Sequence, residues 1–108
     1  MREVCRIDVY SGSFASQPLV FAHLGAAMPG LRLDDVEVIC GVDPRRRLAH
    51  AFLAEAAEAV EDAMGLDDTC VLIFPDAVAT MPGALPDATD LLRHLGTFDG
   101  HRHRPEPE

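Results

Sequence analysis

Lysine is missing from this chain altogether: its nine basic residues are all arginine. That absence excludes a lysine Schiff base and the lysine of a phosphate-binding P-loop. Cysteine is scarce, and Cys5, Cys40 and Cys70 lie far apart and are odd in number. Such spacing fits neither a disulfide framework nor a zinc knuckle, so the three are read as reduced thiols inside strands. Long apolar runs are lacking too, and the N-terminus carries Arg2, Glu3, Arg6 and Asp8 where a signal peptide would be apolar. The expectation is a cytoplasmic protein with no membrane partner. Positive charge is in deficit: eighteen acids against nine bases give a net charge of −9. That balance repels phosphate backbones, so no nucleic-acid partner is expected.

What is present suits one small globular domain, with 48% apolar and 25% charged residues in 108 positions. Val4 to Tyr10 alternates, with Cys5, Ile7 and Val9 on one side and Arg6, Asp8 and Tyr10 on a wetter one, which predicts a strand ended by Ser11-Gly12-Ser13. Pro18 opens a helix whose apolar residues run to Met28, stopped by Pro29-Gly30. Val36 to Cys40 reads as a second strand. Asp43-Pro44 then caps a long helix to Met64, with Ala49, Phe52, Leu53, Ala56, Val60, Ala63 and Met64 in one stripe and Gly65 as its stop. Cys70 to Phe74 is continuously apolar, as in a central strand buried on both faces. Asp76 to Pro86 reads as a loop, and Leu91, Leu92 and Leu95 as a short helix closed by Gly96.

The fold class expected from this order is α/β: one small domain over residues 1–98, βαβαβα, with a three-stranded, mostly parallel sheet. Residues 99–108 are read as a disordered tail. The expected core is Ile7, Val9, Leu24, Val38, Phe52, Leu53, Val60, Val71 and Ile73.

In such sheets ligands bind beyond the carboxyl ends of the strands, which directs attention to Tyr10–Ser16, Gly41–Arg47 and Pro75–Thr80. Tyr10-Ser11-Gly12-Ser13-Phe14, followed by Pro18 and His23-Leu24, resembles the opening of the nucleotidyltransferase superfamily that includes adenylyltransferases. The second strand and its exit through Gly41-Val42-Asp43-Pro44-Arg45-Arg46 resemble that family's next strand and turn. The resemblance covers about half of the chain. It implies a small domain binding a nucleotide or another phosphorylated small molecule, with Gly12, Ser13 and His23 near the phosphates. The chain departs from the family where catalysis is concerned. Ala15-Ser16 stands where Asp-Pro is the pattern, Val20 replaces the first Thr or His of the paired motif, and the later Ser-Thr…Arg segment is missing. A catalytically incomplete binding domain is therefore expected, with no catalytic residue assigned and no cofactor.

Arg45, Arg46 and Arg47 occupy the first turn of the long helix, where cations oppose the helix dipole, while Glu58, Glu61 and Asp62 crowd its other end. Free backbone N–H groups and guanidinium forks together would receive a phosphate or carboxylate. The three arginines join Gly12, Ser13 and His23 as candidate ligand-binding residues.

The alternative is a non-catalytic interaction module. Val36 to Phe74 is similar to the βαβ half of the tautomerase superfamily, whose members assemble through sheet faces and edges. Catalysis there requires an amino-terminal proline, and position 1 here is Met with Arg2 behind it, so that resemblance implies a homo-oligomer and no tautomerisation. No Cys-x-x-Cys supports a thioredoxin-like reading. His94, His101 and His103 with Asp99 are metal-ligating types in a region with little to order it, and no metal site is expected.

Overall fold

In a computed structural model the chain is described over residues 2–40, 54–79 and 81–103. The elements are β1 (Arg2–Gly12), α1 (Gln17–Ala27), a 3-10 turn (Leu33–Asp35), β2 (Val36–Cys40), α2 (Ala54–Met64), β3 (Thr69–Ile73), a single helical turn α3 (Pro75–Val78) and β4 (Leu92–His103). Of the expected long helix only the part from Ala54 falls within the described residues. Arg45, Arg46, Arg47, Phe52 and Leu53 lie outside them.

The strands form one four-stranded sheet in the order β2-β3-β1-β4, and every neighbouring pair is antiparallel. This corrects the expected three-stranded, mostly parallel βαβαβα sheet. β1 and β2 do run the same way, but β3 lies between them and against both: Val71 sits opposite Tyr10 on one side and Val38 on the other. The apolar run of β3 reports that both its faces are covered, and all five of its residues are buried. Such a pattern carries no information on strand direction, because either ladder satisfies the same backbone groups.

A second correction concerns the segment read as a short helix at Leu91–Leu95. Leu92 begins a strand that pairs with β1 from Gly12↔Leu92 to Arg2↔His103. Helical spacing of three leucines is a weak signal when a long partner strand offers a full ladder, and Thr97 and Phe98 favour strand. Gly96 is no helix stop. The register shifts between Val9↔Gly96 and Tyr10↔His94, leaving Leu95 as the extra residue of a bulge, and Gly96 has φ +136°, which glycine adopts without penalty. β4 then continues through residues 99–103, which the sequence assigns to the tail; residues 104–108 lie outside the described ones.

The alternation within each strand divides the core between two sheet faces. On one, Val36, Val38, Val71, Ile73 and Tyr10 pack with Val20 and Leu24 of α1, with Met28 just after it, and with Ala77 of α3. On the other, Ile7, Val9, Ile39, Cys70 and Leu72 pack with Val60 and Met64 of α2. Helices thus cover both faces. Of the expected core, Ile7, Val9, Leu24, Val38, Val60, Val71 and Ile73 are buried. Tyr10, expected on the wetter side of β1, is 0% exposed: it packs within the cluster that faces α1, and its hydroxyl donates to the Pro86 carbonyl. No described helix is long and apolar enough to cross a membrane.

Candidate functional site

Gly12 and Cys40 both stand opposite Thr69, so β1 and β2 leave the sheet at the same end. β4 begins there too, with Leu92 opposite Gly12 on the other side. The register therefore brings together segments distant in sequence: the β1 exit, the turn before β3 and the turn before β4.

A cleft of about 420 Å3 opens between them, walled by Ser11, Gly12 and Ser13, by Asp67, and by the turn from Ala88 to Arg93. Its floor is a polar network. Ser11, 1% exposed, donates from Oγ to Asp67 Oδ2 at 2.7 Å, and Arg93 Nε donates to the same oxygen at 3.2 Å. Arg93 Nη2 also reaches the Ala63 and Met64 carbonyls at 2.8 and 2.9 Å. It thereby satisfies the last turn of α2, where a cation complements the helix dipole. The sequence explains the meeting: Ser11 and Arg93 are register partners on the α2 face, and Asp67 follows the end of α2.

The outer wall is a tight turn. Thr89 N–H donates to the Leu92 carbonyl at 2.7 Å, while Thr89 Oγ1 accepts from Leu92 N–H at 3.0 Å and Leu91 N–H at 3.4 Å. Behind it, His23 Nε2 lies 2.6 Å from Thr89 Oγ1, and the Phe14 ring is 5.8 Å from the imidazole. Gly12 is needed here by close approach: a Cβ on it would overlap the Leu91 carbonyl oxygen and come within 3.1 Å of Leu92 Cδ2. Nearer β2, buried Thr69 donates to Asp68 Oδ1 at 2.9 Å and accepts from Phe14 N–H at 3.3 Å, with the Cys40 thiol 3.6 Å away.

Among the sequence candidates, Gly12 and Ser13 line the cleft directly, and His23 reaches it through Thr89. Arg45, Arg46 and Arg47 cannot be placed, since they fall outside the described residues. Sequence reading missed Asp67, Thr89, Asp90 and Arg93. Arg93 was missed because its segment was read as a helix, and the others because only the sheet register brings them to Ser11.

Another polar group sits along β1 and β4. Asp8 Oδ1 accepts from Thr97 Oγ1 at 2.9 Å and lies 3.1 Å from His94 Nε2, and the His94 ring stands 4.8 Å from that of Tyr10. Burial, then the charges of Asp8 and Asp87, push the Tyr10 hydroxyl up to about 12. Among the described residues no three His, Cys, Asp or Glu side chains are grouped to hold a metal ion.

Among the described residues the cleft offers hydroxyls, two carboxylates and one guanidinium. Its most buried hydroxyl, Ser11, is paired with a carboxylate and, among the described residues, has no imidazole hydrogen-bonded to it. No protein-family model matches this chain, and neither a curated protein nor a solved structure does. The nucleotidyltransferase resemblance rests on the sequence positions alone.

Proposed function

We propose that this protein is a binding domain for a nucleotide or a similar phosphorylated, hydroxyl-bearing small molecule, seated in the cleft at the β1 exit. The observation that carries the reading is the cleft itself. It is an open concavity whose walls meet only through the sheet register, in a molecule whose two sheet faces are already occupied by helices.

The charges divide the ligand. Asp67 and Asp90 against Arg93 leave the lining formally negative, and the guanidinium is committed to Asp67 and the end of α2. Carboxylates suit the hydroxyls of a ribose or another sugar, and they repel phosphate. The phosphate is left to the sequence's basic cluster, Arg45, Arg46 and Arg47.

Thermal shifts test this, comparing a nucleoside, its triphosphate and inorganic phosphate at matched ionic strength. Triphosphate should stabilise more than nucleoside. Changing Arg45, Arg46 and Arg47 together to Gln should remove that difference and keep the nucleoside effect, whereas Asp90→Asn should weaken the nucleoside effect. Equal shifts in all three proteins, or none in the parent, would overturn the reading.

The second reading, a homo-oligomeric interaction module, is favoured by one feature. β4 is a twelve-residue margin of the sheet, and among the described residues Arg2 to Ile7 of β1 pair with β4 alone. A long unpaired strand margin is a template for a second chain. Helices on both faces speak against closure of a bare face by neighbouring subunits. Solution mass decides it: a monomer at working concentration removes this reading.

A further inference from the structure

His23 makes no part of the cleft's surface, yet it is tied to the residue that organises the cleft's outer wall. The Thr89 hydroxyl has one proton and two lone pairs. Leu92 N–H and Leu91 N–H both donate to its oxygen, at 3.0 and 3.4 Å. With the lone pairs so engaged, the hydroxyl proton is left for its remaining neighbour, His23 Nε2 at 2.6 Å. In that arrangement the nitrogen accepts, which corresponds to the tautomer with its proton on Nδ1.

We propose that neutral His23 is a positioning residue for the ligand cleft, and that its protonation releases the 88–92 turn, so that the cleft opens or slackens on acidification. A charged ring presents N–H at Nε2 to an oxygen already accepting twice. Either the ring withdraws or it displaces the longer Leu91 bond, and in both cases the turn loses an anchor. This turn carries Thr89 to Leu92 of the cleft lining, and its Leu91 carbonyl closes against Gly12.

Among the described residues the groups that could offset the switch are few. α1 has no charged residue other than His23 itself, and the β1 exit presents the Phe14 ring. Asp87 and Asp90 flank Thr89 in the loop, and neither makes a hydrogen bond or ion pair with the imidazole. His94, beyond the turn, faces Asp8 and not the Thr89 hydroxyl. The gating role rests on the ligand reading above. The switch itself can be measured on the bare protein, so the two can fail separately.

The experiment is a series of amide NMR spectra of the full chain between about pH 8 and pH 5, the span in which imidazoles titrate. The amides of Thr89, Leu91 and Leu92 should move in one transition that follows the His23 ring protons. Exchange protection of the Leu92 amide, corrected for intrinsic exchange, should fall about tenfold across it, the scale of one neutral hydrogen bond. His23→Gln should keep the turn anchored, since its carbonyl oxygen can accept the Thr89 proton, and should abolish the transition. Thr89→Val should give low protection at every pH. A parent without the transition, or a transition that persists in His23→Gln and disappears in His94→Gln, would overturn the proposal.

Discussion

Gly12→Ala should be costly, although a glycine in a strand is ordinarily a weak point that alanine improves. The added methyl would overlap the Leu91 carbonyl oxygen and stand 3.1 Å from Leu92 Cδ2, where an ordinary C···O contact is about 3.3 Å or more. A side chain could swing away; a carbonyl in a tight turn cannot. The turn is held by the 2.7 Å bond from Thr89 N–H to the Leu92 carbonyl and the 3.0 Å bond from Leu92 N–H to Thr89 Oγ1, so relief requires the whole 88–92 segment to move off β1. Overpacking of this kind costs roughly 1–3 kcal/mol, and weakening one neutral hydrogen bond adds about 1 kcal/mol. Lower entropy of the unfolded chain returns only about 0.4–1 kcal/mol. The net expectation is a loss of about 2 kcal/mol, which lowers the urea midpoint by about 1 M for a slope of about 2 kcal/mol per M. A Gly12→Ala protein as stable as its parent would refute the close approach and with it the geometry of the cleft wall.

Gly25 lies within α1 with open space for 4 Å around the place an alanine methyl would take, so Gly25→Ala should stabilise the fold by about 0.5–1 kcal/mol in the same urea assay; a loss would mean that this face of α1 is covered. Tyr10 is the sole tyrosine, so alkaline ultraviolet titration should place its ionisation near 12 in the folded protein. The sign follows from linkage: the folded state keeps a proton that the unfolded chain releases from about pH 10, so stability is present below that pH and falls towards pH 12. Normal ionisation near pH 10 in the folded protein would show the ring to be open to water. Burial, followed by the charge of Glu37, likewise pushes the Cys70 thiol up to about 12, and a thiol reagent should modify it only on unfolding. Rapid labelling of Cys70 at neutral pH would contradict its place in the core.

Local periodicity was informative wherever an element packs through its own pattern. Ile7 and Val9 alternate into one face of the sheet, Val20 and Leu24 form the buried side of α1, and β3 is buried throughout. Strand direction was not legible, because it is set by which strands meet and leaves no mark on burial. β4 was misread for a related reason: Leu91, Leu92 and Leu95 have helical spacing, but Leu91 is 55% exposed and Leu95 is the bulge residue. A glycine followed by Thr97-Phe98 was the available signal for a bulged strand. The same divide runs through the site. Gly12 and Ser13 were visible as a break after an alternating strand, whereas Asp67, Thr89 and Arg93 come to Ser11 only through long-range register.

Amide NMR titration with a nucleoside triphosphate tests ligand binding at the β1 exit most directly. Saturable shifts confined to Ser11–Ser13, Asp67 and Thr89–Arg93, together with the residues around Arg45–Arg47, are the expected result. Shifts absent at millimolar nucleotide, or concentrated instead along the outer margin of β4, would contradict it.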